Sequence, residues 1–360
     1  MNLKLAFILG TRPEIIKMSP LIAECEHLNL DHFILHTGQH YSYSMDRVFF
    51  EQLHLQMPTH NLEVGSGSHA EQTAKMLIGI EKTLLIEKPS VVLVQGDTNT
   101  VLAGALASAK LAIKIGHVEA GLRCYDQKMP EEINRVLTDH CSEYLFAPTE
   151  RSRANLLHEG IPPEKVFVTG NTIVDAVFQN MQHIEGKENS VERLGLSRDG
   201  YCLATLHRQE NVDNPRTFSS ILRGLELVSE HFNLPVVYPV HPRAEKMLRT
   251  LQLNPKLKLT NPIDYFSFLR LERDARLVLT DSGGVQEEAC ILGVPCVTLR
   301  ENTERPETLD IGANVLAGTD PEQILLKAKT MLGAKRQWEN PFGDGTAASK
   351  ILKILRGQEE

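Results

Sequence analysis

Short apolar runs alternate with helix-length amphipathic segments along almost the whole 360-residue chain, and this alternation limits its fold more than any other feature. Strands are expected at 3–9, 33–37, 91–95, 115–118, 145–147 and 166–168, with helices around 15–27, 69–86, 101–111 and 130–142 between them. A second series follows, with strands at 202–205, 236–240, 258–260, 277–280 and 296–299 and helices near 218–231, 243–251 and 285–292. Such a pattern implies an α/β chain with parallel sheets covered by helices on both faces. Sheets of that kind bind ligands at the carboxyl ends of their strands. A linker helix starting near Thr172 leads into the polar, Gly-containing stretch 185–200, which reads as a surface excursion, so the domain boundary is placed around 170–185. The tail 347–355 reads as an amphipathic helix that packs back on the first domain.

The length and a hydrophobic content of 42% allow large cores and favour two domains over one. A net charge of −8, from 38 basic and 46 acidic residues with no basic stripe, argues against a nucleic-acid partner. Six cysteines are scattered without metal-like spacing and read as reduced, mostly buried thiols of a cytosolic protein. The apolar N-terminus runs straight into Gly10-Thr11-Arg12-Pro13-Glu14 without a cleavage site, and reads as a first strand. No uninterrupted apolar run is long enough to span a bilayer, so a soluble, cytoplasmic protein without a membrane partner is expected.

The most informative stretch is Asp281-Ser282-Gly283-Gly284-Val285-Gln286-Glu287-Glu288, which follows an apolar strand. Ser282, Gly283 and Gly284 let the backbone approach a ligand and open a helix, whose unpaired N–H groups and positive dipole end suit a phosphate. Glu288, one turn on, can accept two hydrogen bonds from a ribose diol; the bland alternative is a Gly-rich turn with a solvated carboxylate behind it. Gly10–Glu14 is not Gly-x-Gly-x-x-Gly, so a dinucleotide lacks its usual cradle. Arg12 and Lys17 offer cations there for a diphosphate, or are ordinary solvated charges near a helix start.

Asp97 and Glu119 end two further apolar strands, and Glu131 opens a helix with Arg135 on the same face at i,i+4. Either Glu131 or Glu132 also fits a dipole-compensating cap. Three carboxylates converging from separate elements would repel, raise at least one pKa, and supply both an acid and a base near neutral pH. In the second half His207 and His241 follow strands and can contact a phosphate without a metal. The chain lacks a clustered Cys/His pattern and a Gly-x-Ser-x-Gly elbow, so neither zinc nor a serine nucleophile is expected.

Taken together, Gly10–Glu14, Gln95-Gly96-Asp97-Thr98, His117-Val118-Glu119-Ala120-Gly121-Leu122-Arg123, 130–135, 207–211, 281–288 and 303–307 resemble the non-hydrolysing UDP-N-acetylglucosamine 2-epimerases over about residues 3–318. The resemblance implies two Rossmann-like domains, 1–172 and 173–340, facing a central cleft in the glycosyltransferase-B arrangement, with the helix 347–356 returning to the first. It implies no metal, nicotinamide or other cofactor, a UDP-sugar substrate and a homodimer. The implied reaction interconverts UDP-N-acetylglucosamine and UDP-N-acetylmannosamine for cell-surface polysaccharide synthesis. UDP leaves by elimination across C1–C2, giving 2-acetamidoglucal, and adds back as C2 is inverted. Carried over motif by motif, Asp97, Glu119 and Glu131 are the acid/base candidates, with Arg135 orienting Glu131. His207 and Arg305 steady the departing diphosphate, Ser282, Gly283 and Gly284 bind phosphate, Glu288 holds the ribose, and Arg12 and Lys17 serve the nucleotide end. Phe268 is a uracil neighbour or a core residue.

The segment 41–46 differs from the bacterial pattern, in which this loop, with residues like His241 and Arg208, binds a second substrate molecule as activator. Relatives acting on UDP-2,3-diacetamido-uronates vary at the Gly-Thr-Arg-Pro-Glu and Glu-Arg-Pro-Glu motifs; both are intact here, which favours the N-acetylglucosamine substrate. A glycosyltransferase would share the nucleotide half-site without requiring the carboxylate trio, and a non-catalytic nucleotide-sugar regulator would tolerate its loss.

Overall fold

The computed structural model describes residues 3–38, 43–184 and 190–358. The chain divides into two compact units, one running to Phe178 and resuming at Phe342, the other from Gln179 to Pro341. In the first, β1 (Lys4–Leu9), β2 (Asp31–His36), β3 (His60–Asn61), β4 (Val91–Gln95), β5 (Lys114–Val118), β6 (Tyr144–Ala147) and β7 (Val166–Val168) form a sheet ordered β3-β2-β1-β4-β5-β6-β7. Its neighbouring strands are all parallel.

Successive side chains of β1 point to opposite faces of that sheet. Leu5, Phe7 and Leu9 join Ile15, Met18 and Leu21 of the helix Arg12–His27 and Ile351 and Leu352 of the helix Ala347–Leu355. Ala6 and Ile8 join Met76 and Ile80 of His69–Glu87 and Val101 of Asn99–Lys110. Cover on both faces is why the strand reads as an unbroken apolar run. The returning C-terminal helix is capped by Asp175, whose carboxylate accepts the N–H groups of Ala347 and Ala348.

The second unit repeats the plan with β8 (Cys202–Thr205), β9 (Val236–Pro239), β10 (Lys258–Thr260), β11 (Leu277–Thr280), β12 (Cys296–Thr298) and β13 (Asn314–Leu316), ordered β10-β9-β8-β11-β12-β13 and parallel throughout. Cys202 and Ala204 pack with Phe218, Ile221 and Leu225 on one face, Leu203 with Leu271 and Ala289 on the other. Both units are thus Rossmann-like α/β layers. Strand order reverses between β1 and β4 in one and between β8 and β11 in the other, and at such a switch point the carboxyl-end loops diverge to leave a crevice.

Some elements depart from the sequence expectation. β2 starts at Asp31, two residues early, because its register pairs Asp31 with Lys4. The helices Tyr265–Asp274 and Pro321–Gly333 and the strand β13 were not anticipated. Within 185–200, residues 185–189 lie outside the described residues; Ser190 and Val191 of the short helix Ser190–Arg193 are buried, while Glu192, Arg193, Gly195 and residues 197–199 are exposed, as a surface excursion requires. The segment 41–46 also lies outside the described residues, apart from the helical backbone from Tyr43. No helix among the described residues is long and apolar enough to cross a membrane.

Candidate active site

At the first unit's switch point the turns after β1, β4 and β5 carry the expected polar groups. Glu119 sits just past β5 with a positive φ of 69°, its N–H donating to the Phe146 carbonyl at 3.1 Å. A β-carbon rarely adopts that conformation, so the surrounding structure must hold it. The Glu119 carboxylate, 4% exposed as a side chain, is ion-paired with Lys17 and accepts from Gln95 Nε2 at 3.0 Å. Lys17, assigned from the sequence to the nucleotide end, is only 7% exposed and directs its charge onto this carboxylate. Arg12 is exposed, and its guanidinium lies over the Phe49 ring at 5.1 Å.

Asp97 keeps 31% of its side chain exposed, with one carboxylate oxygen 2.5 Å from Arg135 Nη2 and its carbonyl accepting from Asn134 Nδ2 at 2.9 Å. The i,i+4 argument assigned Arg135 to Glu131. Among the described residues the guanidinium's helical ion pair is with Glu132, at i,i+3. Glu132 is buried and accepts the N–H groups of Cys124 and Tyr125 at 3.2 and 2.9 Å. Burial opposes its ionisation, yet these N–H groups and Arg135 hold it below the usual carboxylate range. Glu131 is exposed in the first turn of the helix Pro130–Cys141.

Two supporting groups were missed. His117 has no exposed side-chain surface; its Nε2 lies 2.8 Å from the Gly96 carbonyl and its Nδ1 2.6 Å from Asp139. Asp139 also accepts from Arg123 Nη2 at 2.7 Å and the Gly121 N–H at 3.2 Å. Glu14 is buried and accepts from the N–H groups of Gly10 and Thr11 and the hydroxyl of Thr98. Burial pushes it up to about 7 despite those hydrogen bonds, and Asp97 adds to the rise. The signal for both lay in the sequence: His117 is an ionisable side chain inside an apolar strand, and Glu14 stands three residues after Thr11 at capping-box spacing.

In the second unit the turns after β8 and β11 meet on Asp281. This carboxylate has no exposed surface and accepts the N–H groups of His207 and Arg208, the His207 ring Nδ1 at 2.9 Å and Asn211 Nδ2 at 3.2 Å. Burial opposes its charge, but His207 and these N–H groups outweigh it and keep Asp281 below its ordinary range. Ser282 caps the helix Gly283–Ile291. A β-carbon at Gly283 would meet Glu304 Oε1 at 2.7 Å, whereas one at Gly284 would meet only Ser282 Oγ at 4.0 Å. Arg305, Arg208 and Arg300 surround Glu304 and hold it well below the usual range against its burial.

Glu288 is buried and accepts from the Tyr265 hydroxyl at 2.9 Å. Arg305 is 5% exposed and bonded to Glu287 at 2.5 Å. His241 caps the helix Pro242–Thr250, its ring 6.4 Å from that of His207. Phe268 packs partly buried against the core that holds Leu271 and Ala289. No group of three or more potential metal ligands occurs among the described residues.

A family model described as UDP-N-acetylglucosamine 2-epimerase matches residues 23–356. The UDP-N-acetylglucosamine 2-epimerase of Methanocaldococcus jannaschii is 55% identical, covering 98% of this chain and 99% of its own. Its crystal structure in complex with UDP-GlcNAc and UDP superposes with a TM-score of 0.93 over 99% of this chain and 100% of that one. The UDP-2,3-diacetamido-2,3-dideoxy-D-glucuronate 2-epimerase of Pseudomonas aeruginosa is 42% identical over 98% of this chain and 99% of its own. On this match along nearly its full length, the chain belongs to the UDP-N-acetylglucosamine 2-epimerase family of isomerases.

Proposed function

We propose that the protein interconverts UDP-N-acetylglucosamine and UDP-N-acetylmannosamine without hydrolysis, supplying precursor for cell-surface polysaccharide. A base removes the C2 proton, the C–H electrons form the C1–C2 double bond, and the C1–O bond breaks onto the UDP oxygen. UDP then adds back to C1 of the 2-acetamidoglucal while an acid delivers a proton to the opposite face of C2. The observation that carries this reading is the pair Asp97 and Glu119 at the ends of neighbouring strands β4 and β5, each tethered to its own cation, Arg135 and Lys17. Glu131, exposed one element away, is the third acid/base candidate. Ser282, Gly283, Gly284 and Glu288 hold the UDP end, with His207 and Arg305 steadying the leaving diphosphate and Arg12 and His241 further along the nucleotide. Phe268 neighbours the uracil. The 55% identity to an enzyme solved with UDP-GlcNAc and UDP supports the substrate.

The protein is proposed to work in the cytoplasm as a homodimer, for which exposed Ile78, Leu85, Ile86, Ile133 and Leu137 on two helices of the first unit are available apolar contacts. A second substrate reading, the UDP-2,3-diacetamido-uronate, is favoured by the 42% identical relative. Purified protein incubated with each nucleotide sugar, followed by separation of products, decides between them. Formation of UDP-N-acetylmannosamine supports the proposal, and release of free UDP with free N-acetylmannosamine would refute the non-hydrolysing part of it.

A further inference from the structure

The turn that carries Asp97 is held residue by residue. His117 lies against the Gly96 carbonyl, Asn134 donates to the Asp97 carbonyl, and Arg135 grips the Asp97 carboxylate. Thr98 is gripped by Glu14, a group that the proposed chemistry does not use. One oxygen of Glu14 accepts the Gly10 and Thr11 N–H groups, the latter at 3.0 Å, and the other accepts the Thr98 hydroxyl. Thr98 follows Asp97 and caps the helix Asn99–Lys110. A single buried carboxyl group therefore joins the turn after β1 to the turn after β4.

We propose that Glu14 is a positioning residue for Asp97, fixing the Gly96–Thr98 turn and shaping the field at its carboxylate. The inference rests on the reading that Asp97 moves a proton. The N–H groups of Gly10 and Thr11, just ahead of the helix Arg12–His27, face this carboxyl group of the protein itself. The charged group acting on Glu14 is Asp97 after β4, itself held by Arg135; on Glu14's own helix Arg12 lies over Phe49, Lys17 is paired with Glu119 after β5, and His36 ends β2. His36 is lowered by burial to about 4 and is neutral at neutral pH. Burial raises Glu14 to about 7, so it changes charge near neutral pH. Like charges repel mutually, so its ionisation raises the cost of negative charge on Asp97.

Glu14→Gln tests this. Glutamine keeps the carbonyl acceptor for Gly10 and Thr11, donates to the Thr98 oxygen, and carries no charge at any pH. The wild-type kcat/KM profile is expected to show an inflection near pH 7 that Glu14→Gln lacks, with UDP affinity at the wild-type level. A variant profile parallel to wild type, or loss of UDP affinity, overturns the proposal. Thr98→Val serves if Glu14→Gln does not fold: it removes a hydrogen bond that lowers Glu14, so the inflection should move to higher pH, and an unmoved one overturns the proposal. A fully active Asp97→Asn enzyme gives a different result, removing the catalytic reading of Asp97 and this inference with it.

Discussion

His207 Nδ1 lies 2.9 Å from Oδ1 of Asp281, a carboxylate with no exposed surface, while the imidazole keeps 46% of its side chain exposed. The acid fixes one ring nitrogen and leaves the other free to face a ligand, the arrangement a histidine needs to meet a leaving diphosphate. Asp281→Asn places an amide among N–H donors. It should lower kcat about 10-fold or more, the scale of a mispositioned acid–base group, and cost about 2 kcal/mol of stability at neutral pH. Because Asp281 is held below its ordinary range, its contribution is present above the unfolded-state value and lost as pH falls through the folded one. Urea midpoints of wild type and variant should therefore converge below about pH 4.

Glu131 and Glu132 separate chemistry from architecture. Glu131→Gln changes an exposed carboxylate, and should lower kcat ~10²-fold with the melting temperature unchanged. Glu132→Gln breaks a buried ion pair with Arg135 and should destabilise the protein by about 3 kcal/mol. Steady-state kinetics and thermal melts on both variants check this; a fully active Glu131→Gln enzyme would leave that residue with no catalytic part.

Glu288 and Tyr265 test the proposed ribose contact. Glu288→Ala removes bonds made equally in ground and transition states, so KM should rise more than kcat falls. Tyr265→Phe removes the hydroxyl that donates to Glu288, and should shift UDP affinity by a few-fold, on the scale of about 1 kcal/mol. Calorimetric UDP titrations measure both, and unchanged affinity in Glu288→Ala would move the ribose elsewhere.

Glu14 makes a stability prediction independent of catalysis. Its folded-state value near 7 exceeds the ordinary 4.5, so stability is fully present below the unfolded value and lost as pH rises through the folded one. Glu14→Gln should thus be more stable than wild type at pH 8, by about 2–3 kcal/mol, and gain little or nothing at pH 4.5. Urea unfolding at the two pH values gives the comparison.

The doubly wound layers were legible because β1, β4, β8 and β11 are covered on both faces and so read as continuous apolar runs. The helix Tyr265–Asp274 was not, since its buried face includes Arg270, Glu272 and Asp274 among Phe266 and Leu269, which blurs the apolar period. The site's polar turns were legible from their positions at strand ends. Their internal pairing was not: whether Arg135 reaches i,i+3 or i,i+4, or whether Lys17 turns to Glu119, depends on side-chain direction that spacing alone leaves open. Glu272 illustrates the same gap, as burial and Glu288 raise it well above its usual value through contacts between separate helices.

Heavy water offers the most direct measurement of the central claim, that C2 inverts by proton removal and return. Wild-type enzyme with UDP-N-acetylglucosamine in heavy water should give UDP-N-acetylmannosamine carrying deuterium at C2, read by proton NMR and mass spectrometry, because the base exchanges its proton with solvent between the two half-reactions. Product formed at full rate with no C2 label would contradict proton exchange at that carbon and, with it, the assignment of acid–base work to Asp97, Glu119 and Glu131.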